Sequence, residues 1–291
     1  MERYVSGSPT IESFATTGEL LAAAESELLA REVWYALPLA VARTCRDEPA
    51  RYAPPHYAAA VRDEAGRVVG VALMTPPHRL QLYVESDAAA HLVAEDLERG
   101  GWRVPGLHGP APAAAAFAAA WCPARGLRAE TLQRLRLFEL TRVVPPPRPR
   151  GAMRVAGAAD AEFVVGCYRA FERETHTGLA ESLEDVAHAA LRAGRVFVWD
   201  DGGPVAQAAI QGETARGARV GAVYTPPERR RGGYATALVA ALSQHLLDSG
   251  RRWCSLFTDL ANPISNSIYA KIGYVPLADL VNVDFHPTAP A

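Results

Sequence analysis

Apolar residues recur along this chain with two periods, and the changes between them mark out the elements. Leu20, Leu21, Ala24 and Leu28 repeat at helical spacing behind Thr16-Thr17-Gly18-Glu19, which has the form of a capping box. A second helical stretch, Val33 to Thr44, is expected to bend or begin at Pro38. Alternation then predicts a hairpin from Tyr57–Arg62 and Arg67–Met74, and a strand at Leu80–Val84. A helix from Asp87 to Arg99, an alanine-rich helix over Pro112–Ala124 and a strand over Thr131–Leu140 complete the first half. The second half reads as a helix capped by Asp160 and running through Arg173, a second helix from about Ser182 to Ala193, then strands Val196–Trp199 and Pro204–Glu213. After them come a strand ending near Thr225, a helix carrying Leu238, Val239, Leu242 and Leu246, and a strand at Trp253–Thr258. A helix over Pro263–Ile272 and strand pairing near Tyr274–Leu277 and Leu280–Phe285 close the pattern.

The two halves share one order of elements, so a tandem duplication is the economical reading. Between them, Val144-Pro145-Pro146-Pro147-Arg148-Pro149-Arg150-Gly151 removes backbone donors and favours an extended, semi-rigid segment. The expected division is a first domain over residues 1–143, a proline-rich linker over 144–150 and a second domain over 151–291. At 291 residues, two domains with a core each are affordable in length.

Composition narrows the function. A net charge of −2 leaves no face-wide basic excess, so nucleic acid is not an expected partner. Lys271 is the only lysine, which also excludes a phosphate-binding loop of the Gly-Lys-Ser/Thr type. Cys45, Cys122, Cys167 and Cys254 are scattered without a Cys-x-x-Cys pair, so neither a disulfide framework nor a metal centre is expected. The N-terminus lacks a basic region followed by an apolar run, and no apolar run reaches membrane-spanning length, so a cytoplasmic protein is expected.

The candidate chemistry starts where the strand Val220–Thr225 runs through Pro226-Pro227-Glu228-Arg229-Arg230-Arg231-Gly232-Gly233 into a helix at Tyr234-Ala235. The first amides of a helix lack intrahelical partners and carry partial positive charge, so an anion fits there. Gly232 and Gly233 allow close backbone approach, Ala235 keeps the first turn open, and three arginines add charge. Alone, this pattern also describes an exposed basic turn. A second segment, Asn262-Pro263-Ile264-Ser265-Asn266-Ser267-Ile268-Tyr269, reads as an N-cap, a proline at the first helical position, and Ser265 and Tyr269 on one face.

Together these two segments make the chain resemble the GNAT superfamily of acyl-CoA N-acyltransferases, specifically over about Val196 to Phe285 and weakly over the first half. The resemblance implies an α/β fold of two tandem GNAT-like domains, each a mixed, mostly antiparallel sheet flanked by helices. It implies that acetyl-CoA is bound at its pyrophosphate by the loop from Arg230 through Arg231, Gly232, Gly233 and Tyr234 to Ala235. Val223 and Thr225 then lie along the pantetheine arm, Asn262 contacts the cofactor and Tyr269 faces the thioester sulfur. Arg231 stands where the family commonly has glycine, and the reading requires it to take ordinary helical-entry dihedrals. The first half has Glu85, Ser86 and Asp87 at the equivalent place, so it is expected to be a degenerate GNAT-like domain that does not bind coenzyme A.

The implied function is transfer of an acetyl group from acetyl-CoA to a primary amine, on a small molecule or a peptide, by direct attack; an oligomer is compatible with it. A lysine-like amine costs roughly 4–5 kcal/mol to deprotonate at pH 7 and an α-amine about 1 kcal/mol, so a base or a water relay has work to do. Glu213, at the end of a strand, is the expected base, and Glu172, Glu174 and His176 are further candidates. Tyr269 is the expected donor to the leaving thiolate, although full proton transfer from a phenol is uphill by roughly 2 kcal/mol. The competing reading is a non-catalytic acyl-CoA-binding or sensing module.

Overall fold

The computed structural model describes residues 8–175 and 182–288. In chain order the elements are β1 (Thr10–Phe14), α1 (Thr17–Leu28), α2 (Ala36–Asp47), β2 (Tyr57–Arg62), β3 (Val68–Met74), β4 (Leu80–Val84), α3 (Asp87–Arg99), β5 (Gly106–Pro110), α4 (Ala111–Trp121) and β6 (Leu127–Leu140). They continue with β7 (Ala152–Val155), α5 (Ala161–Thr175), α6 (Leu183–Arg192), β8 (Val196–Asp200), β9 (Pro204–Glu213), β10 (Gly217–Tyr224), α7 (Tyr234–Asp248), β11 (Trp253–Asp259), α8 (Pro263–Lys271) and β12 (Val275–Pro287). Two compact units result, one of Met1–Arg136 with Ala278–Ala291 and one of Leu137–Leu277.

In the first unit the strands run β1-β2-β3-β4-β5, followed by β12 and then β6. β4 and β5 are parallel, with Leu80 opposite Leu107, and the β1 to β4 pairings are antiparallel. Against β5 lies the last strand of the chain: Val283 faces Leu107 and Val281 faces Gly109. Val281, Val283 and Phe285 join Leu82, Val93, Leu97 and Phe117 in one buried cluster. The Thr16 cap forms as its sequence requires, Glu19 donating its amide to Thr16 Oγ1 at 3.1 Å and accepting Ala15 N–H at 2.9 Å. Pro38 sits in the first turn of α2, where its missing N–H costs nothing.

In the second unit the order is β7-β8-β9-β10-β11, with the end of β6 beside β11. β7 to β10 are antiparallel and β10 meets β11 in parallel. One sheet face packs on α7 and α8 through Val220, Ala208, Leu238, Leu242 and Leu256; the other packs on α5 and α6 through Val164, Val165, Ala187, Ala209 and Ala222.

These units move the expected boundaries. The division falls inside β6 instead of at residues 144–150, and 278–291 belongs to the first unit instead of the second. The physical reason is hydrogen bonding: the proline run is tied into the second unit at both ends, by Val144 N–H to Ile272 O at 2.9 Å and by Trp199 Nε1–H to Arg150 O at 2.7 Å. β1, β5 and β7 escape sequence periodicity because they are short, and β5 carries two glycines and a proline. Asp160 does not cap α5; it closes a 3-10 turn by accepting Gly157 N–H at 2.8 Å and pairing with Arg154.

Candidate functional site

The site is built on an irregular strand. β10 pairs with β11 over Gly217–Arg219, opposite Trp253–Ser255, while its pairing with β9 continues to Tyr224 opposite Gln207. Two register shifts interrupt that pairing, one between Arg219 and Val220 and one between Gly221 and Tyr224. At the second, Ala222 takes φ +47°, a left-handed conformation that costs an alanine about 1–2 kcal/mol. The bulge turns Ala222 toward α5 and α6, and Gln207, fully buried on β9, donates its Nε2 to Ala222 O at 3.2 Å. Sequence reasoning missed Gln207; its only mark is one amide inside the apolar run Val205-Ala206-Gln207-Ala208-Ala209.

Beyond the strand, residues 227–229 form a 3-10 turn and Arg230 is extended. Arg231 then takes φ +65° and Gly233 φ +77°, with Gly232 between them outside the left-handed region. This corrects the expected helical-entry dihedrals of Arg231. Alternating φ signs over three residues turn successive amides toward one concavity, the geometry of an anion nest. The nest opens α7, whose N-cap Gly233 offers no side-chain oxygen, so the first-turn amides of this 15-residue helix stay available. A Cβ on Gly232 would meet the Tyr234 ring at 2.8 Å, and that ring is held by Tyr234 O–H donating to Asp201 Oδ2 at 2.8 Å. Arg229, Arg231, Gly232 and Gly233 are exposed, and Ala235 is half-buried in the first turn.

Val223 and Thr225 follow the bulge; Val223 packs partly against the α7 side, and Thr225 Oγ1 is buried without a partner. Arg230 is directed elsewhere: its Nε donates to Thr225 O at 3.0 Å, and its Nη2 donates to Glu174 Oε1 and Oε2 at 2.7 and 2.9 Å. Tyr224 O–H donates to the same Glu174 Oε1 at 2.8 Å. Burial pushes the Glu174 carboxyl up, but the bonds from Arg230 and Tyr224 outweigh it and leave the group below its ordinary range.

α8 begins as expected, with Asn262 Oδ1 accepting Ser265 N–H at 3.1 Å and Pro263 at the first helical position. Asn266 donates to Asp259 O and Asn262 O, while its own Oδ1 is buried without a partner. Tyr269 is 7% exposed, between Phe138 and Tyr274 at ring distances of 6.4 and 6.0 Å. Burial pushes its phenol up to about 12. All four cysteines are buried; burial raises Cys167 and Cys254 to about 12, so neither is a nucleophile at neutral pH.

Glu213 is not brought to the loop. It faces Ala218 at the turn end of β9, whereas the loop leaves the other end of β10 after Tyr224. Ala222, four residues along, is roughly 13 Å from that end, and the Glu213 carboxylate is ion-paired with Arg251. His176 lies outside the described residues, and Glu172 lies in the last turn of α5. In the first unit the equivalent helix, α3, is capped by its own side chain, Ala89 N–H donating to Ser86 Oγ at 3.2 Å, and Glu85 pairs with Arg31.

The fold that carries this strand, loop and helix is shared with known proteins. The FR47-like protein family model matches residues 204–281. Over the whole chain, a GCN5-related N-acetyltransferase from Sphaerobacter thermophilus superposes with a TM-score of 0.57 at 17% identity, covering 99% of this chain and 98% of that one. A tandem GNAT protein from the clavulanic acid biosynthesis pathway gives 0.54 at 18% identity, covering 97% and 99%. The chain has a tandem GNAT fold. An acetyltransferase of the GNAT family from Colwellia psychrerythraea agrees, at a TM-score of 0.53 and 14% identity over 95% of this chain and 100% of that one. No curated protein sequence matches the chain. In this GNAT fold the family-model match spans β9 through α8 and the first part of β12, and therefore holds the nest, the bulge and Tyr269. Among the described residues, no helix is long and apolar enough to cross a membrane and no His, Cys, Asp or Glu cluster could hold a metal ion.

Proposed function

We propose that the second unit binds acetyl-CoA and transfers its acetyl group to a primary amine, of a small molecule or a peptide, by direct attack. The observation that carries this is the nest at Arg231–Gly233 opening an uncapped helix beside a bulged strand. The residues fit the cofactor. An anion meets free first-turn amides; Gly232 leaves room that a Cβ would fill; and Thr225 Oγ1 and Asn266 Oδ1 are buried polar atoms in want of partners. Gly232, Gly233, Tyr234 and Ala235 would hold the pyrophosphate by backbone, with Arg231 adding charge, while Val223 and Thr225 border the arm and Asn262 its far end.

When bound, acetyl-CoA supplies the activated thioester. The chain supplies orientation and polar contacts. Gln207 fixes the bulge, so that amides near Ala222 and Val223 are held for the acyl oxygen. With the cofactor bound, Tyr269 would donate a hydrogen bond to the departing sulfur and keep its proton: against a thiol near 8.5, a phenol at about 12 makes full transfer uphill by about 5 kcal/mol. A water relay takes the amine proton, because Glu213 stands at the wrong end of β10. The first unit binds no coenzyme A, since Ser86 already caps the equivalent helix and Glu85 places a carboxylate there. We assign the enzyme to the cytoplasm.

Calorimetry with coenzyme A and thiol release from acetyl-CoA over a panel of primary amines test this reading. One equivalent bound and amine-dependent thiol release are expected. Two equivalents would overturn the assignment of the first unit. Binding without release under any amine would leave a binding module in place of an enzyme.

A further inference from the structure

Three arginines line the loop, and one of them is already engaged. Arg229 and Arg231 have no ion-pair partner among the described residues, whereas Arg230 joins both oxygens of Glu174. Glu174 comes from the last turn of α5, the layer on the opposite sheet face from α7. Tyr224, the last residue of β10, packs against Cys167 and Ala170 of α5 and completes the cluster through Glu174 Oε1. A carboxylate and a phenol oxygen thus face one cation at the end of the bulged strand.

Resting on the cofactor reading above, we propose that Glu174 is the subsite for the ammonium group of a cationic amine acceptor, and that Arg230 links it to the cofactor loop. Two anions, the Glu174 carboxylate and a diphosphate on the nest, compete for the Arg230 guanidinium. A diphosphate that draws Arg230 leaves Glu174 without its cation; an ammonium that takes Glu174 leaves Arg230 to the diphosphate. Each ligand therefore tightens the other, and by linkage the two effects are equal. The pair is cheap to exchange, since its side chains are 44% and 48% exposed. An exposed pair corresponds to about two- to five-fold in affinity.

The test is calorimetric titration of coenzyme A into the full chain, with and without 1,4-diaminobutane at matched ionic strength. In the wild type the diamine lowers the Kd for coenzyme A about three-fold. Glu174→Gln binds coenzyme A about three-fold tighter without diamine and no longer responds to it, and Glu174→Ala behaves the same. Arg230→Gln binds more weakly and is equally unresponsive. An unchanged Kd in both Glu174 variants, or a diamine effect that survives in them, overturns the proposal and leaves the cofactor reading intact. Absence of coenzyme A binding to the wild type removes the cofactor reading and this proposal with it.

Discussion

At the scale of single residues, Tyr269 and Arg231 separate chemistry from conformation. Tyr269→Phe keeps the ring packed between Phe138 and Tyr274 and removes one donor. Steady-state assay should show kcat reduced about 10- to 100-fold with the Kd for coenzyme A unchanged. Because the phenol lies at about 12, the wild-type rate should show no loss from Tyr269 ionisation up to pH 10. Arg231 holds φ +65°, which glycine adopts freely. Arg231→Gly should raise stability in a urea melt by up to about 1 kcal/mol, offset by the entropy glycine loses on folding, and coenzyme A binding should persist through the backbone. The loop was legible in sequence because glycine and arginine declare their uses. The bulge was not: Ala222 is an ordinary residue in an unusual conformation, and Gln207 supports it from another strand.

At the scale of elements, α7 and the turn before α5 make opposite use of helix-start amides. α7 leaves them open, so Gly233→Ala, forced to φ +77°, should weaken coenzyme A binding and cost about 1 kcal/mol in a thermal melt. Before α5, Asp160 closes its turn and pairs with Arg154, which also bonds Asp200. The hydrogen bonds from Arg154 hold the Asp160 carboxyl below its ordinary range. The resulting stability is present above the unfolded value near 3.9 and is lost as pH falls through the lower folded value. Asp160→Asn should lower stability by about 1.5–3 kcal/mol at pH 7, and urea melts from pH 7 to 3 should show a shallower acid loss than in the wild type. Sequence placed the starts of α1, α6 and α8 well, since Thr16, Ser182 and Asn262 announce them. It could not place Asp160 correctly, because a capping acid and a turn-closing acid look alike until Arg154 arrives from β7.

At the scale of the whole molecule, the order of elements was readable and the ownership of the last strand was not. Hydrophobic alternation at Leu280–Phe285 says that a strand is buried, but not against which half. The fragment of residues 1–143 lacks Val281, Val283 and Phe285 and leaves β5 as an open edge. It should be insoluble or aggregate by light scattering, and a peptide of residues 275–288 should restore monodispersity. His108 meets Asn282 across 174 positions of sequence, a contact that no amount of local order can bring forward. During synthesis residues 137–277 are therefore complete while the amino-terminal unit still waits for its closing strand. The half made first is finished last, and nascent-chain protease protection should appear in the carboxy-terminal unit before the amino-terminal one.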